Sequence, residues 1–252
     1  MVKKTKPLQG PFISYAFFGH KTERSFRDSW RGLRHDLFYL LLANRRKIPL
    51  LSLGEKTNHF EWTICPKNLG VDSVVISAGA GRDVSFELEL IKCFGCKVVL
   101  LDPSPTGIAT MALAKNQHSQ LEFIQAALVE KDGPISFFEP SNSEEGSFSS
   151  VAGEGGGHKV KGISLNTLMK MHHWKQIDLL KIDIEGAEYE VIRSILKNKI
   201  KVSQICVEFH NNVLPGIPTG WTVNSLSRLW SRGWRVIHKS GSNHTLWNQS
   251  II

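Results

Sequence analysis

Three short stretches carry residues whose types and spacing suit chemistry. The first is Ser77-Ala78-Gly79-Ala80-Gly81-Arg82-Asp83, with Asp102-Pro103 following it. Two glycines let the backbone turn sharply and let a ligand approach with no Cβ in the way. A carboxylate such as Asp102 can accept both hydroxyls of a nucleoside ribose. The second stretch is Lys181-Ile182-Asp183-Ile184-Glu185-Gly186-Ala187-Glu188. In an extended chain Lys181, Asp183 and Glu185 share one side, and charges at the mouth of an apolar strand mark a site. Glu185 and Glu188 also stand where a helix should begin, and carboxylates there complement the helix dipole by about 0.3–1 kcal/mol each. Glu188 is assigned to that role, and Asp183 is read as a site residue. The third stretch is Val207-Glu208-Phe209-His210. Glu208 and His210 point the same way in an extended chain, and an imidazole suits proton transfer near neutral pH. His210 is the candidate base and Asp183 its orienter, or a ligand for an acceptor hydroxyl. Glu208 is the third candidate. Asp183, Glu208 and His210 could together hold a hard divalent ion that lowers a hydroxyl's pKa, though the spacing does not demand one.

The elements that must position these residues alternate regularly. Strands are expected at 73–77, 97–101, 121–126, 178–184 and 204–209, with helices at 84–94, 106–117, 165–171, 187–196 and 225–232 between or beyond them. Such alternation means a doubly wound, mostly parallel sheet with helices on both faces. An extra strand is expected at 134–139. Strands at 234–238 and 245–247 flank Ser240-Gly241-Ser242-Asn243 and read as a closing antiparallel hairpin. Ligands of such sheets bind beyond the carboxyl ends of the strands, where the order reverses. One nucleoside can therefore bridge the glycine turn and Asp102. The spacing from Gly81 to Asp102 also fits the roughly 20-residue dinucleotide fingerprint. That fingerprint needs a small residue where Val84 stands and a helix N-terminus free for pyrophosphate. Asp83 would repel a pyrophosphate but suits the amino group or sulfonium of S-adenosylmethionine (SAM). It can also cap the helix.

The rest of the chain bounds the answer. Its 252 residues and 41% hydrophobic content can bury a full core. The formal charge is +8, and residues 1–50 hold eleven Lys or Arg against three Asp or Glu, while the remainder holds twenty of each. The expected organisation is a basic N-terminal arm with a helix (25–44) and a strand (59–65) over residues 1–65, then one domain over 66–252. A basic arm attracts nucleic acid, anionic lipid or acidic partners, or is simply solvated. The Ser/Gly/Glu stretch at 141–157 reads as a flexible loop. Cys93-Phe94-Gly95-Cys96 lacks a second pair at zinc spacing, so the cysteines read as small buried residues and Gly95 as a helix stop. The start has charge without an apolar stretch, and Leu37–Ala43 is far shorter than the about 20 residues a bilayer requires. A soluble, cytoplasmic protein without a transmembrane segment is expected.

With these residues in order, the chain resembles the FkbM-type methyltransferase family from about Val71 to Trp247. The matching elements are Val74–Phe86, Val99–Pro105, Ala126-Ala127-Leu128 with Gly133–Phe138, Ser164–Leu168, Ile177–Glu188 and Val207–His210. The resemblance implies a seven-stranded class I, Rossmann-like fold, use of SAM, and O-methylation of a sugar or other small-molecule hydroxyl. It places Gly79, Gly81, Asp102 and Ala127 near the cofactor. Ser77, Asp83, Pro103 and Asp183 complete the expected binding set. Asp183, Glu208 and His210 would face the transferred methyl. Many relatives open the glycine turn with Asp and continue Gly-Ala-Asn-x-Gly. Here Ser77 and Gly-Ala-Gly-Arg-Asp stand instead, with Asp83 as the replacement carboxylate. Three rivals remain open: a nicotinamide oxidoreductase, a ribose-methylating enzyme docked on nucleic acid by the basic arm, and a non-catalytic SAM-fold binding protein.

Overall fold

The computed structural model describes residues 38–43, 48–57, 60–138, 157–211 and 217–251. In chain order the strands are β1 (Leu51–Leu53), β2 (Trp62–Ile64), β3 (Val74–Ala78), β4 (Lys97–Leu101), β5 (Leu121–Ile124), β6 (Ala127–Val129), β7 (Gly133–Phe138), β8 (Gly157–Ser164), β9 (Ile177–Ile182), β10 (Val202–Glu208), β11 (Trp234–Ser240) and β12 (Asn243–Asn248). The helices are α1 (Ser85–Phe94), α2 (Pro105–Ala112), α3 (Leu165–Met171), α4 (Glu188–Asn198) and α5 (Thr219–Trp230).

The main sheet has seven strands in the order β11-β12-β10-β9-β3-β4-β5. The pairs from β10 through β9, β3 and β4 to β5 are parallel. β12 joins β10 and β11 antiparallel. This is the doubly wound sheet with a closing hairpin that the alternation predicts. Its inner strands are mostly apolar because both faces are covered, with Ser77, Lys181 and Gln204 as buried exceptions. Side-chain alternation divides them between two cores. Val75 and Leu179 join Phe86 and Leu90 of α1 on one face. Ile76 and Leu180 join Val191 and Ile195 of α4 and Leu226 of α5 on the other. Local signals end the helices. Gly95 adopts φ +66° and donates its N–H to Ile91 O, and Ser104 accepts from Gly107 N at the start of α2.

Several elements differ from expectation. β6, β8 and β7 form a separate three-stranded sheet, of which the sequence suggests only β7. The outer half of β8 is exposed, so no apolar pattern announces it. α5 begins six residues before the expected Ser225, because Trp221 and Val223 are exposed apolar residues that blur its pattern. β9 ends at Ile182, so Asp183 lies just past the strand rather than inside it. Of the expected helix over 25–44, residues 38–42 are helical and Ala43 forms an isolated bridge, and residues 25–37 and 44 lie outside the described residues. So does all of the 141–157 loop except Gly157.

The part of residues 1–65 that is described packs on the sheet. β1 and β2 pair antiparallel, and Leu53, Trp62 and Ile64 are buried in the same core as Leu179 and Cys206. The Gln204 side chain accepts from Cys65 N at 2.6 Å and donates to Cys65 O at 3.2 Å. Ala43 bridges Val236. Cys65, Cys96 and Cys206 are buried, but Cys93 is exposed, contrary to its expected place in the core. Among the described residues, no helix is long and apolar enough to cross a membrane.

Candidate functional site

The strand order reverses between β3 and β9: the chain leaves β3 toward β4 and β5 on one side and resumes on the other with β9 and β10. The crevice at the carboxyl ends of these two strands is where a ligand is expected. The glycine turn and Asp183 meet there. Asp183 N donates to Ala78 O at 3.0 Å. Gly79 has φ +94°, and a Cβ added to it would lie 1.9 Å from Asp183 O. Only glycine fits that position. Gly81 has φ +51° with nothing within 4 Å of where a Cβ would stand, so the turn is bare on that side.

Asp102 is almost fully buried and holds the turn in place. Its Oδ2 accepts from Ala80 N (2.8 Å) and Gly81 N (3.1 Å), and its Oδ1 accepts from Ser104 N (2.7 Å). Gly107 leaves the room for this, since a Cβ there would come within 2.4 Å of the Asp102 carboxyl carbon. Three backbone N–H groups thus occupy much of a carboxylate that the sequence assigns to ribose alone. Asp83 Oδ1 accepts from Ser85 N at 2.9 Å and from the Ser85 hydroxyl, which ties down the first helical residue, although the N-cap position itself is Val84. Ser77 lies beneath the turn, fully buried, with its hydroxyl donating to Glu87 Oε1 at 2.5 Å. As placed, it presents nothing to a ligand. Pro103 is half-buried, and Ala127 is buried in β6, paired with Gly162.

A buried cation braces the turn from below. Lys181 Nζ donates to Gly79 O at 2.5 Å and lies 3.8 Å from Glu87 Oε1 and 4.0 Å from Asp183 Oδ2. It also sits 5.5 Å over the Trp62 ring. Glu87, on the first turn of α1, is buried with it. Sequence reasoning passes over this residue because its partner is almost a hundred positions away.

The carboxylates after β9 converge on His210. The chain does not stay extended past Asp183. Glu185 and Gly186 adopt φ of +51° and +105°, which reverses the backbone before α4. Glu188 is fully buried. It accepts from Gly186 N at 3.1 Å through both oxygens and shares a 2.6 Å hydrogen bond with His210 Nδ1. Glu188 stands in the first turn of α4, as the dipole role requires, and as a fully buried carboxylate with an imidazole partner it also orients that ring. The other ring nitrogen, Nε2, lies 3.3 Å from Glu185 Oε2 and 3.8 Å from Asp183 Oδ1. Glu185 also belongs to the cluster, and the turn at Glu185–Gly186 is what brings it there.

Burial alone would push the His210 pKa down. The hydrogen bond and charge of Glu188, with the charges of Glu185 and Asp183, override this and raise it to about 9. Burial pushes Asp183 up to about 6, helped by Glu208 and Glu185 and opposed by Lys181 and His210. Asp183 and His210 are thus brought together as expected. Glu208 stands apart: β10 ends there, its Oε1 accepts from the Ser242 hydroxyl at 2.7 Å, and it reaches the cluster through its charge on Asp183. Phe209 turns into the core and His210 turns toward Glu188. Asn211 accepts from the Thr222 hydroxyl at 2.9 Å.

Comparison with known proteins gives consistent matches. A family model described as the methyltransferase FkbM domain matches residues 70–219. A human (Homo sapiens) protein, "Probable methyltransferase-like protein 24", is 24% identical over 215 residues, which are 81% of this chain and 52% of that protein. The chain therefore spans about half the length of this curated relative. Two solved structures share 10% identity and a TM-score of 0.38 over 71% of this chain. They are an rRNA methylase from Streptococcus thermophilus, 89% covered, and a fibrillarin pre-rRNA processing protein from Methanococcus jannaschii, 68% covered. Monomeric WbdD shares 13% identity over 69% of this chain and 35% of its own, with the same score.

Proposed function

This chain belongs to the FkbM methyltransferase family, and on that premise we propose that it transfers the methyl group of SAM to a hydroxyl of a sugar or other small-molecule acceptor. The observation that carries the reading is the Gly79–Asp183 contact. It sets a bare glycine turn directly beside the His210 cluster. The groups that would hold the cofactor are the backbone of Gly79 and Gly81, with Asp83, Asp102, Pro103 and Ala127 around them. The fit rests on the open space at Gly81 and on Asp102, whose Oδ1 accepts from Ser104 N and keeps a lone pair for a ribose hydroxyl. Bound SAM supplies an electrophilic methyl on a sulfonium.

The chain's own task is to align the acceptor oxygen and take its proton. With a pKa near 9, His210 holds its proton at neutral pH. Asp183, with a pKa near 6, is then mostly ionised and better matched to accept a proton. We therefore assign proton acceptance to Asp183 and orientation to His210, reversing the order of roles that residue type alone suggests. The four cysteines are free, which fits the cytoplasmic compartment expected for this chain.

The test has two parts. S-adenosylhomocysteine should raise the melting temperature by mass action, and NAD should not. A shift with NAD alone would sink the reading. Asp183→Asn should then keep the shift and lose methylation of hydroxyl acceptors. The eleven basic residues within 1–50 support a second reading, methylation of a nucleic-acid ribose. Salt-sensitive RNA binding that disappears when these charges are neutralised would favour it.

A further inference from the structure

We propose that Asp183, Glu185 and His210 form a binding site for one divalent cation of the Mg²⁺ or Mn²⁺ class. One nitrogen or oxygen from each of the three lies within 4.8 Å of the other two. His210 Nε2 is 3.3 Å from Glu185 Oε2 and 3.8 Å from Asp183 Oδ1. Donors about 2.1 Å from an octahedral cation lie about 3.0 Å apart when adjacent and about 4.2 Å apart when opposite. Both separations from His210 Nε2 lie between those values, so the side chains stand close to ligand spacing.

Three further features separate this cluster from a patch of surface acids. The His210 side chain is nine-tenths buried, with Nε2 aimed at the two carboxylates. Its other nitrogen is held at 2.6 Å by Glu188, which is fully buried and itself fixed by Gly186 N. A carboxylate behind a histidine in this way fixes ring orientation and raises ligand basicity in metal sites. Charge points the same way. Asp183, Glu185 and Glu188 surround one imidazole, and the ammonium that approaches Asp183, that of Lys181, also faces Glu87. The cation takes the place of the His210 Nε2 proton, which leaves as it binds. Two carboxylates with one imidazole suit Mg²⁺ or Mn²⁺ better than a thiophilic metal.

The ligand set differs from the one the sequence suggests. Glu185 takes the place of Glu208, whose Oε1 is engaged by Ser242. Three protein ligands leave about three positions of an octahedral cation for water or for acceptor oxygens. The use of the cation rests on the methyl-transfer reading above. Its binding does not, and the experiment reads binding alone.

The full chain, stripped of metal with a chelator, is titrated with MnCl₂ and followed by electron paramagnetic resonance. One Mn²⁺ per chain should bind, and Mg²⁺ should compete for it. Pulsed measurements should show coupling to an imidazole nitrogen that His210→Asn removes. Glu185→Gln, at a partly exposed position, should weaken binding at least tenfold, and Glu188→Gln roughly ten- to a hundredfold. Glu208→Gln should lose less than Glu185→Gln. The proposal is overturned if folded wild-type protein binds no Mn²⁺ at millimolar concentration. It is equally overturned if bound Mn²⁺ shows no nitrogen coupling, or if Glu185→Gln and Glu185→Ala bind as wild type does. Any of these results leaves the S-adenosylhomocysteine test untouched.

Discussion

Replacing Glu188 by Gln isolates the interaction that orients His210. The side chain keeps its volume and an oxygen for Gly186 N–H, but loses its charge. That charge and its hydrogen bond are the main causes that raise His210 from its ordinary 6.5 to about 9. A raised folded-state pKa contributes stability that is complete below the unfolded value of 6.5 and is lost as the pH rises through about 9. At 1.36 kcal/mol per unit the contribution is on the order of 3 kcal/mol. In chelator-treated protein, urea unfolding should show Glu188→Gln less stable than wild type by about 2–3 kcal/mol near pH 6. The difference should shrink to under about 1 kcal/mol at roughly pH 9.5, where the wild-type imidazole has lost its proton. His210 ring resonances, followed by NMR, should titrate at least about one pH unit lower in the variant. An equal loss of stability at both pH values, or an unchanged His210 titration, would refute the assignment of Glu188 as the source of the shift.

Four other substitutions probe the glycine turn and the groups that brace it. Gly79→Ala drives a Cβ into Asp183 O, and backbone cannot easily yield, so a loss above about 4 kcal/mol, or failure to fold, is expected from denaturant melts. Gly81→Ala should cost only about 1–2 kcal/mol for its left-handed φ, because nothing stands within 4 Å; it should nevertheless weaken S-adenosylhomocysteine in a thermal-shift titration, and unchanged affinity would remove Gly81 from the binding surface. Lys181→Met leaves Glu87 buried beside no cation, a change that costs about 3–5 kcal/mol. Adding Glu87→Gln should recover a large part of it, and strictly additive losses in urea would contradict the pairing. Asp102→Asn should cost about 1–3 kcal/mol, because its single acceptor oxygen can keep either the bonds to the turn or the bond to Ser104 but not both. It should also reduce S-adenosylhomocysteine affinity, and a variant that is destabilised yet binds normally would confine Asp102 to a structural role.

What was legible in the sequence and what was not divides by distance along the chain. The turn at Gly79–Gly81, the stop at Gly95 and the span of β4 are local, and their residue types suffice to read them. The alternation of strands and helices gives the sheet for the same reason. β1 is three residues long and β8 is exposed over its first half, so neither leaves a pattern. Glu188 sits where a dipole-complementing carboxylate is ordinary, and its partner His210 is 22 positions away. Glu185 joins the cluster through a left-handed conformation that its residue type does not favour. The place of Asp102 at a strand end marks it in the sequence, but its bonds to Ala80, Gly81 and Ser104 depend on how two loops fold against each other.

Asp183 joins the two halves of the site. Its N–H pairs with Ala78 O, and its carbonyl packs where a side chain on Gly79 would go. Its carboxylate faces Lys181 on one side and His210 on the other. Lys181 repeats the connection, because the same ammonium that approaches Asp183 donates to Gly79 O. The glycine turn therefore cannot move without disturbing the groups around His210, and the reverse holds too. This coupling is short and built from backbone contacts and one buried ion pair, so it is stiff. For group transfer, stiffness here has a specific value. On the reading proposed above, a ligand on the turn and a hydroxyl near His210 would be positioned by one rigid unit, and misplacement by an ångström costs such reactions about a hundredfold in rate.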